Sequence, residues 1–162
     1  MKIKIPFSWI RLHRNRAYIS GHGSKNLDGS IAGPFGKVGS DVSEEQAYQC
    51  ARLATLSILS NLKCKLGTLD RTNAWLVIHG FVNVEPNFAK TTAVINGCSE
   101  LILQLCGEDI GAYARTAMGV ASTPFGLPVV IAAEVEVSGV DTANNIHFWR
   151  LLLSMRISYA SK

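Results

Sequence analysis

None of the four cysteines, Cys50, Cys64, Cys98 and Cys106, belongs to a Cys-x-x-Cys pair or has a histidine close by, so neither a zinc ribbon nor a disulfide framework is expected. His13, His22, His79 and His147 are equally scattered, and no metal site is predicted. Reduced thiols suit a cytoplasmic setting. Long apolar runs are missing too: segments such as Ala74 to Ile78 and Leu127 to Ala133 fall far short of the roughly 18 to 20 residues a membrane span requires. After Met1-Lys2-Ile3-Lys4-Ile5-Pro6 there is no apolar stretch with a small-residue cleavage site, so neither a secretory signal nor a membrane partner is predicted. Charge is sparse at 17%. With 48% hydrophobic residues among 162, the chain can bury one core without staples.

The net charge of +4 is unevenly spread: residues 1–16 carry +5, residues 17–137 carry −3 and residues 138–162 carry +2. A basic stripe that tracks phosphates is therefore not expected on the body, and no series of arginines interleaved with aromatics is present. A nucleic-acid partner is accordingly disfavoured.

Turn formers and periodicity divide the chain. Residues 17–21 read as a strand, and Asp28-Gly29 is placed to close a hairpin onto residues 31–38. Ser43, followed by Glu44, Glu45 and Gln46, has the form of a capping box. A helix is predicted from there to Gly67, with Ala47, Ala51, Ala54, Ile58 and Leu62 as its buried stripe. The apolar run over residues 72–82 predicts a strand covered on both faces. Pro86 suits the first turn of a second helix, which would carry Phe88, Val94, Ile95, Leu101, Ile102 and Leu105 and stop near Gly107, with Gly97 as its weak point. Residues 115–121 and 128–138 complete the set as strands. The order β-β-α-β-α-β-β predicts an α+β fold, a mixed sheet with both helices on one face. Its other face then needs cover, and self-association supplies it.

In the last strand Glu134 and Glu136 alternate with Val129, Ile131, Ala133, Val135 and Val137, so the two carboxylates share one face. Such acids on a strand face are usually solvated. Arg115 opens the preceding strand among small and apolar neighbours, where a guanidinium needs solvent or an anion.

The run Val94-Ile95-Asn96-Gly97-Cys98-Ser99-Glu100-Leu101-Ile102, then Tyr113-Ala114-Arg115-Thr116-Ala117-Met118-Gly119-Val120, then Leu127-Pro128 and Ala133-Glu134-Val135-Glu136-Val137 resembles the RidA/YjgF family of reactive-intermediate deaminases, also known as endoribonuclease L-PSP-like proteins. Ile19-Ser20-Gly21 and Gly67-Thr68-Leu69-Asp70 fit as well. The resemblance covers about residues 6–137 and places a domain over residues 1–137, with 138–162 as a tail outside it. It implies a chorismate-mutase-like fold assembled as a homotrimeric barrel, with active sites in clefts between subunits and no cofactor. Family members with deaminase activity hydrolyse 2-imino or enamino acids to 2-keto acids and ammonia. The resemblance assigns Arg115 to the substrate carboxylate and Glu134 to the attacking water, with Ser20, Gly21, Asn96, Phe7 and Ala117 in the substrate pocket.

The chemistry is coherent, because a planar guanidinium pairs two donors with a carboxylate, and a carboxyl group of raised pKa exchanges protons with water near neutrality. Phe7 stands where active members carry a tyrosine, and Ala117 where they carry a cysteine. Residues 122–126 lengthen the connection before Leu127. These departures also fit a non-catalytic trimer that binds a small carboxylate. In the tail, residues 147–159 suit either a strand or a helix by periodicity.

Overall fold

The computed structural model describes residues 6–139, so most of the expected tail over 138–162, including the segment 147–159 that suits either a strand or a helix, lies outside the described residues. A five-stranded sheet carries two helices. In chain order the elements are β1 (Ile10–His13), β2 (Arg16–His22), α1 (Glu44–Leu66), β3 (Thr72–Asn83), α2 (Thr91–Gly111), β4 (Ala114–Val120) and β5 (Val129–Val137). The strands lie in the order β1-β2-β5-β3-β4. Only the β3–β4 pair is parallel, with α2 as its crossover; the other pairs are antiparallel. This is the mixed α+β sheet the element order predicts.

The first helix forms where the sequence places it. Ser43 Oγ accepts from the Gln46 N–H at 3.1 Å, while Gln46 Oε1 accepts from the Ser43 N–H at 2.9 Å, closing the capping box. Ala47, Ala51, Ala54, Ile58 and Leu62 are all fully buried. They pack against the sheet together with Trp75, Ile78 and Val82 of β3 and Val129, Ile131, Val135 and Val137 of β5. Along β5, residues 129, 131, 133, 135 and 137 are buried and the even positions between them are only half-buried. One face of the sheet thus carries both helices and the other is open.

Local expectations fail at several points, among them the cover of both faces of residues 72–82, since Val77 and Phe81 on the open face are only half-buried. No strand forms over residues 31–38: the Asp28-Gly29 turn closes a single bridge between Lys25 and Ile31, and the hairpin that does form is β1–β2. The second helix starts at Thr91, not at Pro86, because Asn87 takes a left-handed φ of 75° outside the helical region, and a similar φ of 70° at Gly107 kinks it where the sequence expects it to stop. Gly97 is no weak point. A Cβ there would sit 2.3 Å from the Tyr48 carbonyl oxygen of α1, so glycine is what lets the helices approach this closely.

Candidate functional site

Two groups of side chains carry the expected site residues, and they lie apart within one chain. The first surrounds Arg115, near the start of the edge strand β4. Arg115 is paired with Ile78, which is fully buried under the helices; parallel register therefore sends the Arg115 side chain to the helix-bearing face. There Arg115 Nη1 donates to Asn96 Oδ1 at 2.9 Å and to Ser99 Oγ at 2.7 Å. Asn96 and Ser99 are three residues apart on α2, hence on one side of it. Both partners are neutral, and no carboxylate of the described residues forms an ion pair with Arg115. The Nε and Nη2 donors of this half-buried guanidinium have no hydrogen-bond partner among the described residues.

Ala117 lies two residues further along the same face, and its carbonyl accepts from Thr91 Oγ1 at 3.2 Å. Cys98 is buried, and its thiol is pushed up to about 11 by that burial, with the Arg115 charge opposing the shift. It is therefore protonated and inert at neutral pH.

The second group lines a cavity of about 430 Å³ bounded by Phe7, Trp9, Ser20, Gly21, Phe125 and Leu127 among others. Ser20 Oγ donates to the Ser8 carbonyl at 2.8 Å, so its hydroxyl ties down the entering chain. Gly21 is required by close approach: a Cβ would meet Val130 Cγ1 at 2.8 Å. Behind the cavity wall the His22 ring is fully buried. Nδ1 lies 2.5 Å from the Ser20 carbonyl oxygen and Nε2 lies 2.8 Å from Asn61 Nδ2. A carbonyl only accepts, so the proton is on Nδ1 and Nε2 accepts from the amide. Burial lowers the His22 pKa, and the nearby Lys25 charge adds to this against the Ser20 hydrogen bond. The ring stands 5.0 Å from Trp9, which packs edge-on to Phe7 at 5.2 Å.

Glu134 belongs to neither group. It sits on the open face of β5, between Tyr18 and Val77, and its Oε2 accepts from Arg16 Nη1 at 3.3 Å. With side chains 50% and 33% exposed, this pair contributes at most about 1 kcal/mol.

Within a single chain Arg115 and Glu134 thus occupy opposite faces, two strands apart. Ser20 and Gly21 lie on β2, three strand spacings or roughly 14 Å from β4. The sequence missed Ser99, Arg16, Trp9 and His22 as parts of these clusters. Ser99 alone carried a readable signal, since it shares a helix side with Asn96.

No family model matches the chain. Protein TCP17 of Trypanosoma cruzi is 36% identical over 121 residues, which span 75% of this chain and 74% of that protein. Atu1372 of Agrobacterium tumefaciens, whose function is unknown, has a similar structure with a TM-score of 0.78 and 36% identity, over 85% of this chain and 87% of that one. A protein of Shewanella oneidensis described as an endoribonuclease shares the fold at a TM-score of 0.75 and 24% identity, over 81% of this chain and 85% of that one. At 36% identity to TCP17 and to Atu1372 over most of their length, and with the fold of the endoribonuclease L-PSP proteins, the chain belongs to the RidA/YjgF family, the endoribonuclease L-PSP-like proteins.

Proposed function

We propose that this protein hydrolyses reactive 2-imino or enamino acids to 2-keto acids and ammonia, in a cleft made by two copies of the chain. The observation that carries this reading is the Arg115 guanidinium, held in place by Asn96 and Ser99 through Nη1 and left with unpaired donors on Nε and Nη2. Those donors form the planar fork that matches a carboxylate in two parallel hydrogen bonds. Anchored there, a small acid presents its C=N carbon at a fixed distance from the arginine.

Water then adds to that carbon while a general base takes its proton, and the resulting carbinolamine expels ammonia to leave the ketone. Glu134 is the base in this scheme. Its bond to Arg16 is weak enough for a bound water to compete with it. Because Glu134 and Arg115 of one chain face opposite ways, the Arg115 cluster of one copy would have to meet the Glu134 and Ser20–Gly21 surface of another. The open sheet face supports such assembly. Val77, Phe81, Val130 and Ala132 lie there half-buried, and Met118 is 48% exposed. A homotrimer in the cytoplasm, with a small carboxylate as its partner, is the arrangement this reading favours.

A second reading, a trimer that binds a carboxylate without turnover, is favoured by one observation: Glu134 already has a cationic partner in Arg16. Ammonia release from 2-aminoacrylate, generated by a dehydratase in the assay, separates the two. Wild type should accelerate it, and Arg115→Ala should lower kcat/KM at least about 100-fold. A wild-type rate equal to that of the Arg115→Ala protein would contradict deamination.

A further inference from the structure

The cavity beside Ser20 and Gly21 is far larger than the three-carbon acid of the assay requires. Its volume is about 430 Å³. Its walls come from Phe7, Trp9, Ile31, Phe125, Leu127 and Val130. The hydroxyls on its lining are already engaged: Ser20 Oγ donates to the Ser8 carbonyl at 2.8 Å and Ser24 Oγ to the Ala32 carbonyl at 2.7 Å, while the Lys25 ammonium rests over the Trp9 ring at 4.7 Å. No carboxylate lines it. Apart from the Lys25 ammonium on the Trp9 ring, what remains for a ligand is aromatic and aliphatic surface.

Two of these rings are left largely in water. Phe7 is 54% exposed and Phe125 is 77% exposed. Phe125 is held in the left-handed region at φ 59°, a conformation that costs a non-glycine residue about 1 kcal/mol. The short helical turn over Pro124–Gly126 carries it. In the single chain, a ring displayed at this cost on the rim of an apolar cavity is placed to close over apolar material that enters there, with a neighbouring copy able to cover its outer side.

From this lining we infer that the site takes 2-imino acids with a bulky apolar side chain, branched or aromatic, and that Phe125 is a specificity-determining residue. The inference rests on the deaminase reading in one respect: the Arg115 cluster fixes the carboxylate end, and the aromatic cavity receives the other end. Each added methylene that leaves water for such a wall raises affinity about four-fold. The step from an alanine-derived to a leucine-derived acid adds three carbons and is therefore expected to gain roughly 50-fold.

The test is calorimetric titration of the full chain with three 2-keto acids: pyruvate, 4-methyl-2-oxopentanoate and phenylpyruvate. As products they report binding without turnover. The expected result is binding that Arg115→Ala abolishes, tighter by about 50-fold for 4-methyl-2-oxopentanoate than for pyruvate. Phe125→Ala should narrow that ratio by about ten-fold; its exposed position makes misfolding no concern. Equal affinity for all three acids, still dependent on Arg115, would overturn the size preference and leave the carboxylate site standing. Binding insensitive to Arg115→Ala, or none at all, would overturn the carboxylate site and this inference with it.

Discussion

His22 is the one fully buried histidine among the described residues, and both its ring nitrogens are hydrogen-bonded, Nδ1 to the Ser20 carbonyl and Nε2 to the Asn61 amide. Its pKa is lowered from 6.5 in the folded chain, chiefly by burial. The unfolded chain therefore binds more protons between the folded value and 6.5. Stability from this group is complete above pH 6.5 and falls away as the pH drops below it. Urea unfolding midpoints should decline from pH 7 to about pH 5, and His22→Gln should flatten that decline. An unchanged slope in the variant would contradict the assignment. Sequence alone gave no hint of this. A histidine after a glycine-ended strand is unremarkable until Trp9 from the segment before β1, Ser20 from β2 itself and Asn61 from α1 converge on it. Arg115 was legible because its neighbours form a recognisable string; its partner Ser99 was legible only through helical spacing.

Elements differ in how much of themselves their local sequence determines. Helix α1 was readable end to end, because its cap, its stripe and its stop at Gly67 are all contained within the segment. Strand β5 was readable from strict alternation. The β1–β2 hairpin was not: its first strand has four residues and its turn puts Arg14, not glycine, at a φ of 53°. Asp28-Gly29 offers a better turn by composition, yet the chain around it finds no strand to pair with. The start of α2 was misplaced for a similar reason, since Pro86 permits a helix but cannot compel one. Gly97 shows the reverse case, a residue that looks unfavourable within its helix and is required by the next one. Gly97→Ala should push α1 and α2 apart and cost about 1 to 3 kcal/mol in denaturant unfolding. A neutral or stabilising effect would mean that the 2.3 Å approach to the Tyr48 carbonyl relaxes easily.

At the scale of the whole molecule, the sheet separates what the proposed chemistry needs to join. Arg115, Asn96 and Ser99 stand at one edge on the helix-bearing face. Phe7, Ser20 and Gly21 stand near the opposite edge, and Glu134 faces away from the helices. No rotation of a side chain brings these groups together across roughly 14 Å of sheet. A second copy of the chain can do so, and it would cover the open face in the same step. Mass measured in solution by light scattering should be three times that of the chain, and a monomer mass would contradict the shared cleft.

The most direct test mixes two variants that the proposal makes inactive, Arg115→Ala and Glu134→Gln, unfolded together and refolded as one sample. On the proposed arrangement, each supplies the half of the cleft that the other lacks. If each site takes Arg115 from one copy and Glu134 from its neighbour, random assembly leaves about one quarter of the sites intact, and imine hydrolysis should return to about that fraction of wild type. A mixture no more active than the two variants measured separately would contradict a catalytic site shared between chains.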